Sequence, residues 1–182
     1  FVPPESVAGE AAEREYVGLI GSKLPAGIRL AFDGRYKTMI SLKTKNYVLY
    51  EYSGKRTLRG ASLRSRADEA FGREFLNRAI DLLVEGRTEE VGRLYEETIN
   101  AILQRKIPLT QLSRRERITM KTMTSSAKSR ARAVAGDTNV GDYLNVYERR
   151  DGSLGLVENY TPGDENSLYY MEKLYKFASR LR

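Results

Sequence analysis

The spacing of apolar residues predicts a helix followed by an antiparallel meander in the first third of the chain. Apolar side chains recur at helical spacing over residues 5–23, and Pro25 ends that helix. Extended runs separated by short turns follow at residues 28–32, 36–42, 47–52 and 56–61. The Asp33-Gly34-Arg35 turn joins the first two runs and suits a hairpin.

Beyond residue 67 the pattern is mostly helical. Helices are predicted at residues 68–85, 88–103 and 164–181, and strands at 141–149 and 153–159. Gly86 ends the first of these helices and Thr88 caps the second, so the two form an antiparallel hairpin. The predicted fold class is α+β, with a helix and antiparallel strands over 1–66 and a mainly helical part with a small β-hairpin insertion over 67–182.

The amino-acid composition excludes several kinds of catalytic and metal-binding site. The 182 residues include no Cys and no His, which excludes Ser-His-Asp and Cys-His catalysis, zinc sites built on either residue, and haem ligation by them. Glycine-rich phosphate loops are missing, and no pair of acids is placed as two-metal phosphoryl transfer requires. No apolar run approaches the roughly 18 residues of a membrane span. The sequence therefore predicts no membrane span and no self-contained active site.

Positive charge is concentrated in two clusters of a chain with a formal net charge of +7. Residues 112 to 134 contain a single acid, Glu116, and seven basic residues: Arg114, Arg115, Arg117, Lys121, Lys128, Arg130 and Arg132. The earlier cluster, over 55–66, has no acid and comprises Lys55, Arg56, Arg59, Arg64 and Arg66. Such segregation is typical of proteins that bind a polyanion, because each neutralised phosphate releases counterions. A solvated basic surface is the alternative interpretation.

Lys45 and Tyr47 stand two residues apart at the start of a predicted strand. Successive side chains of a strand alternate between its faces, so both would leave the same face. A mobile cation beside an aromatic hydroxyl can hold a phosphate and pack against a sugar. The pair is therefore a candidate for contacts to a nucleic acid.

Several short motifs follow one another in a fixed order: Leu24-Pro25, Asp33-Gly34-Arg35-Tyr36, Lys45-Asn46-Tyr47, Arg59-Gly60, Leu63-Arg64-Ser65-Arg66-Ala67-Asp68, Ile107-Pro108, Gly141-Asp142-Tyr143 and Tyr169-Tyr170. Their order resembles that of the family B DNA polymerases, in the part of the chain that follows the catalytic Asp-Thr-Asp motif. The resemblance extends over essentially residues 1 to 182. Ser65 and Ala67 interrupt the family's Arg-rich motif, which is a departure from its pattern.

The resemblance implies that residues 1–66 are the end of the palm domain and residues 67–182 the thumb. It implies that Lys45 and Tyr47 hold the primer near its terminus, while the thumb wraps the new duplex by sequence-blind contacts. Asp33 takes an auxiliary role, either at the metal centre or in the structure. The residues expected to bind DNA are Lys43, Lys45, Tyr47, Arg59, Arg64, Arg66, Arg114, Arg115, Arg117, Lys121, Lys128 and Arg130.

The resemblance also implies a parent enzyme that adds deoxynucleotides to a primer with two Mg²⁺ ions. The family's Asp-Thr-Asp ligands, fingers motifs and exonuclease motifs have no counterpart in this sequence, so the chain alone is expected to bind no metal and to polymerise no DNA. Its expected partners are primer–template DNA and the remainder of the polymerase, comprising exonuclease, fingers and catalytic palm, from which it is either an excised piece or a split subunit. A cytoplasmic, nucleoid-associated location in a prokaryote is expected.

Two other functions stay open at this point. One is a free-standing basic module that binds nucleic acid without a polymerase parent, for which the 12 Tyr residues offer stacking surfaces. The other is a structural protein whose basic face meets an acidic partner. A preference for primer–template duplex over single strands separates the polymerase interpretation from the free-standing module, because stacking platforms favour single strands.

Overall fold

A computed structural model describes residues 3–60 and 68–181 of the chain. Helices and small antiparallel sheets make up these residues, which confirms the predicted α+β class. The chain divides into two compact units: residues up to Met39 with Leu49–Thr57, and Ile40–Val48 with residues from Leu58 onward.

The N-terminal elements are one helix and three strands: α1 (Glu10–Ser22), β1 (Tyr36–Lys43), β2 (Asn46–Glu51) and β3 (Arg56–Arg59). The three strands form a sheet in the order β1-β2-β3. The predicted turn between the last two is confirmed, because the Glu51 amide donates to the Lys55 carbonyl at 2.9 Å. Strand pairing at these positions follows from the β-branched and aromatic residues that alternate along them.

Helix α1 begins later than its apolar pattern predicts. The preceding residues make a turn in which the Val7 amide donates to the Pro4 carbonyl, at 2.9 Å. Helical hydrogen bonding starts only where the Glu13 amide donates to the Gly9 carbonyl, at 3.0 Å. Gly9, at the N-cap of α1, adopts φ 95° and ψ 154°, a conformation outside the helical region, so the helix does not extend back through it.

The prediction of a strand over 28–32 and a hairpin at Asp33-Gly34-Arg35 is wrong. The segment makes no strand in the described part of the chain, and its side chains contact α1 instead. Leu30 packs beside Gly21, and the Arg14 guanidinium lies 4.3 Å from the centroid of the Phe32 ring. These side-chain contacts hold the segment along the helix. Its apolar residues therefore pack against α1, and the segment forms no strand hydrogen bonds among the described residues although its composition is typical of a strand.

The elements from residue 68 onward are α2 (Ala70–Val84), α3 (Thr88–Leu103), α4 (Leu109–Leu112), β4 (Arg114–Arg117), α5 (Met120–Thr124), α6 (Ser129–Ala135), β5 (Tyr143–Glu148), β6 (Leu154–Leu156) and α7 (Ser167–Ala178), with 3₁₀ turns at Ser126–Lys128, Val157–Asn159 and Ser179–Leu181. The predicted helix hairpin, strand hairpin and closing helix are confirmed. Among the described residues, each helix is too short or too polar to cross a bilayer.

The N-cap predicted for α3 is wrong by one residue. Thr88 is already helical, and Arg87 occupies the cap position without a side-chain cap bond. The Arg87 guanidinium instead binds Glu85 at 2.8 Å and Glu90 at 2.6 Å. Glu89 and Glu90 lie in the first turn of α3, where negative charge stabilises the helix dipole.

Helices α2, α3, α4 and α7 enclose the first hydrophobic core. Their apolar residues recur every three or four positions, so each helix buries one stripe. The Phe71 ring lies edge-on to Tyr170 and Phe177, with centroids 5.8 and 5.9 Å apart. Gly72 allows this approach, because the Phe177 ring occupies the place of a Cβ at that position.

The second core lies under an antiparallel sheet of order β4-β5-β6. Its buried residues are Ile118, Ala131, Ala135, Leu144, Val146 and Leu154. The sequence pattern predicts only the β5–β6 hairpin of this sheet. It does not predict strand β4, because the sequence Arg-Arg-Glu-Arg carries no apolar alternation.

Replacing Gly72 by Ala is expected to lower the free energy of unfolding by roughly 1–3 kcal/mol, because the added methyl group meets the Phe177 ring. Urea denaturation followed by circular dichroism measures the change. The matched control is Gly92→Ala in α3, where a Cβ meets nothing within 4 Å and the better helix former should add about 0.5–1 kcal/mol. Equal effects of the two substitutions would contradict this packing.

Candidate nucleic-acid interface

The four charged residues of strand β4 alternate between the two faces of the sheet. Arg114 and Glu116 are half-buried, whereas Arg115 and Arg117 are exposed. The antiparallel register places Arg115 opposite Asn145 and Arg117 opposite Tyr143. Because side chains alternate along a strand, these four residues share the solvent-facing side of the sheet. We call Arg115, Arg117, Tyr143 and Asn145 the outer face.

Tyr143 organises the cations of the outer face. Tyr143 is 49% exposed, although it belongs to the central strand of the sheet. The Arg115 guanidinium carbon lies 3.7 Å from the ring centroid, and that of Arg117 lies 5.9 Å away. Cations at these distances are attracted by the electrons of the ring, so both arginines are held near one aromatic surface.

Arg114, on the opposite side of β4, bridges two buried carboxylates. One guanidinium nitrogen lies 3.3 Å from Glu69 Oε1, and another lies 3.0 Å from Glu148 Oε1. Glu69 is fully buried and Glu148 nearly so. Burial alone would lower the pKa of Arg114, but the Tyr169 oxygen and the two carboxylates outweigh burial and raise that pKa. Arg114 therefore keeps its charge and joins α2 to the sheet.

Residues of α7 complete the buried network around Glu69 and Glu148. The Tyr169 hydroxyl donates to Glu69 Oε1 at 3.0 Å, and Lys173 Nζ lies 3.5 Å from Glu69 Oε2. Burial, followed by the charge of Glu69, raises the pKa of Tyr169, so its hydroxyl stays protonated and donates. The Glu148 amide donates to the Tyr170 hydroxyl at 2.9 Å.

The other basic residues of 112–134 differ in what they contact. Lys128 binds Glu116, and Arg130 binds Glu148. Arg132 donates to the Met123 carbonyl at 2.9 Å. Over residues 3–60 and 68–181, the basic side chains of this window without a carboxylate partner are Arg115, Arg117, Lys121 and Arg132. The structure thus divides one basic window into internally neutralised and outward-facing residues.

The pair Lys45 and Tyr47 does not lie on one strand face as predicted. Lys45 is in the two-residue turn between β1 and β2, with φ 62°, and its side chain is exposed. Tyr47 is the second residue of β2 and is half-buried. The two strands pair so close to the turn that a residue must adopt the left-handed conformation, and this takes Lys45 out of the strand. Lys43 ends β1, and its side chain lies outside the described part.

Gly60 brings the end of β3 against this turn. It adopts φ 109°, and a Cβ there would lie 2.5 Å from the Lys45 carbonyl oxygen. Only glycine suits both that conformation and that approach. Arg59, directly before Gly60, is exposed, so the structure brings two of the predicted DNA-binding residues to one neighbourhood. Arg64 and Arg66 lie outside the described residues.

Asp33, predicted to have an auxiliary role, is exposed in the loop before β1. Within the two described ranges, no three acidic residues come together as ligands of a metal ion would.

Sequence reasoning missed Tyr143 as a site residue, together with the structural roles of Glu69 and Glu148. Tyr143 stands in the Gly141-Asp142-Tyr143 motif at the start of a predicted strand, and alternation along that strand would have placed it with Asn145. No local signal identifies Glu69 or Glu148, because their partners are distant in sequence.

In sequence, the chain is similar to segments of archaeal DNA polymerases. It is 31% identical over 94 residues to a DNA polymerase of Methanocaldococcus jannaschii, 28% over 106 residues to one of Thermococcus kodakarensis, and 26% over 117 residues to one of Thermococcus litoralis. These matches cover 51%, 58% and 64% of this chain, but only 6%, 6% and 7% of the relatives. No protein-family model matches the chain.

In structure, the chain is similar to the family B DNA polymerase from the hyperthermophilic archaeon Pyrobaculum calidifontis. The superposition has a TM-score of 0.73 at 14% sequence identity. It covers 95% of this chain and 24% of the polymerase chain. The chain therefore has the fold of about a quarter of that polymerase.

Replacing Arg114 by Met is expected to cost about 3–5 kcal/mol of unfolding free energy, because Glu69 and Glu148 lose the cation they share. Thermal and urea denaturation measure the loss. The control is Arg115→Met on the same strand, which should change stability by no more than about 0.5 kcal/mol since Arg115 is exposed. A stable Arg114→Met protein would show that the buried bridge is dispensable.

Proposed function

We propose that this chain is the end of the palm together with the thumb of a family B DNA polymerase, and that it grips the primer terminus and the duplex during DNA synthesis. The observation that carries the proposal is the shared fold over 95% of the chain. Sequence similarity to archaeal DNA polymerases over half of the chain or more supports it independently. Residues 1–66 are assigned to the palm and residues 67–182 to the thumb.

The outward-facing cations support duplex binding without sequence preference. Arg115, Arg117, Lys121 and Arg132 have no internal carboxylate among the described residues, so their charge is available to phosphates. Phosphate contacts fix position on a duplex but carry no base information, which suits an enzyme that copies any sequence. Lys128 and Arg130 contribute less, because Glu116 and Glu148 already neutralise them.

The hairpin turn between β1 and β2 is the proposed contact with the primer end. Lys45 projects from a tight turn that Gly60 supports from the end of β3. A turn held in this way fixes the backbone from which the Lys45 side chain extends, and Arg59 directly precedes Gly60. Tyr47 is half-buried in β2, two residues after Lys45.

The parent polymerase would use Mg²⁺ ions held by carboxylates. The described residues do not fit that role, since no three acidic ligands lie together among them. We therefore assign the metal-binding carboxylates to the remainder of the polymerase, which is the proposed protein partner.

Binding of the chain to a labelled primer–template duplex is expected to weaken steeply with salt. Five phosphate contacts, from Lys45 and the four outward-facing cations, give a slope of log K against log[salt] of about −4.5. Fluorescence anisotropy at several salt concentrations measures that slope. A slope near zero, or no duplex binding at low salt, would contradict the proposed function. Tighter binding to single strands than to primer–template would favour the free-standing module.

Replacing Lys45 by Asn is expected to weaken binding to recessed primer–template more than binding to blunt duplex. Asn removes the charge but tolerates the positive φ of residue 45, so the turn is retained. Lys106→Asn, at an exposed position after α3, removes the same charge elsewhere and should affect both substrates equally. Equal losses on both substrates for Lys45→Asn would refute the assignment of this turn to the primer end.

A further inference from the structure

We propose that Arg115 and Arg117 bind two successive phosphates of one DNA strand, and that Tyr143 is the positioning residue that holds both guanidinium groups for this contact. The inference rests on the proposed function, since it takes DNA as the ligand. It adds which residues form one unit on the thumb and what that unit contacts.

Spacing along β4 is the first argument. Residues two apart on an antiparallel strand are separated by about 6.8 Å, at a rise of about 3.4 Å per residue. Neighbouring phosphates of one DNA strand are separated by a similar distance. Arg115 and Arg117 leave the same side of the sheet, so their guanidinium groups can follow two consecutive phosphates without a change in the backbone.

The geometry of Tyr143 is the second argument. The Arg115 guanidinium contacts the ring at 3.7 Å from its centroid. A guanidinium that rests against an aromatic ring still has N–H donors along its edges, and these donors match phosphate oxygens in pairs. Holding the side chain in advance reduces the conformational entropy that binding would otherwise cost. The ring thus orders the arginines while leaving their donors available.

The sign of the surrounding charge is the third argument. The outer face contains two arginines, a tyrosine and an asparagine, and no acid. The acids of the same two strands, Glu116 and Glu148, belong to the opposite side of the sheet and bind Arg114, Lys128 and Arg130 there. A phosphate that approaches the outer face therefore meets no competing carboxylate on it, and the Asn145 amide adds a further donor.

Two different roles for the outer face fit its geometry less well. Charges on the edge strand β4 could serve only to prevent pairing with another sheet, but that role leaves the exposed ring of Tyr143 on the central strand unexplained. Tyr143 could instead stack on an unpaired base. However, Arg115 already covers one face of the ring, which leaves less of the ring for a base.

The test measures salt-dependent binding of the full chain to primer–template duplex. Arg115→Ala and Arg117→Ala should each reduce the magnitude of the slope by about 0.9, and the double variant by about 1.8. Lys176→Ala, which removes an exposed charge from α7, is the control and should leave the slope unchanged. Circular dichroism verifies that each variant is folded.

Tyr143 is tested separately, because a positioning residue should change affinity without changing the number of phosphate contacts. Tyr143→Leu should weaken duplex binding about two- to fivefold with an unchanged slope. Tyr143→Phe keeps the ring and should restore the affinity of the unmodified chain. Replacing both arginines by Lys should keep most of the slope but lose affinity, since Lys lacks the planar fork.

The outcomes separate this inference from the proposed function. Duplex binding by the unmodified chain with an unchanged slope in the double Arg→Ala variant would overturn the phosphate assignment and leave the proposed function intact. Failure of the unmodified chain to bind duplex would overturn both. A loss of single-strand binding in Tyr143→Leu with no loss of duplex binding would overturn the positioning role in favour of base stacking.

Discussion

The ion pairs between Arg114 and the buried carboxylates of Glu69 and Glu148 connect the two hydrophobic cores of the C-terminal part. Glu69 precedes the first helix of the helical core, Arg114 begins the edge strand of the sheet, and Glu148 ends the central strand. Carboxylates without exposure are tolerated only where cations and hydrogen-bond donors reach them. Arg114, with Tyr169 and Lys173 of α7, meets that requirement and so constrains how helices and sheet pack.

This constraint also determines the charge pattern of the surface. Because the side-chain period of a strand is two residues, turning Arg114 inward sends Arg115 and Arg117 outward and returns Glu116 to the inner side. Glu116 then binds Lys128, and Glu148 binds Arg130 as well as Arg114. Internal acids thereby neutralise part of the basic window and leave the rest on an exposed face. The buried ion pairs and the candidate DNA-binding surface thus lie on opposite sides of the same strand, β4.

Under the proposed function, this surface serves to bind DNA phosphates. A domain that follows a growing duplex must bind firmly without reading bases, and phosphate contacts from ordered cations meet both needs. Tyr143 orders arginines on the sheet, and Gly60 supports the turn that carries Lys45. Ordering of this kind reduces the entropic cost of each proposed phosphate contact.

Much of the fold was determined by local sequence. Helical periodicity placed α2, α3 and α7, and alternation with turn residues placed β2 and the β5–β6 hairpin, because these patterns reflect burial of one side of each element. The concentration of basic residues in 112–134 could also be recognised from the sequence alone. Tertiary structure alone decided that 28–32 lies along α1 rather than in a sheet and that Lys45 sits in a turn. Tertiary structure alone also made Arg-Arg-Glu-Arg a strand, and it placed Arg114 on the inner side of the sheet and Arg115 on the outer side. The inward position of Arg114 depends on Glu69 and Glu148, which are distant in sequence, and local patterns carry no information about such partners.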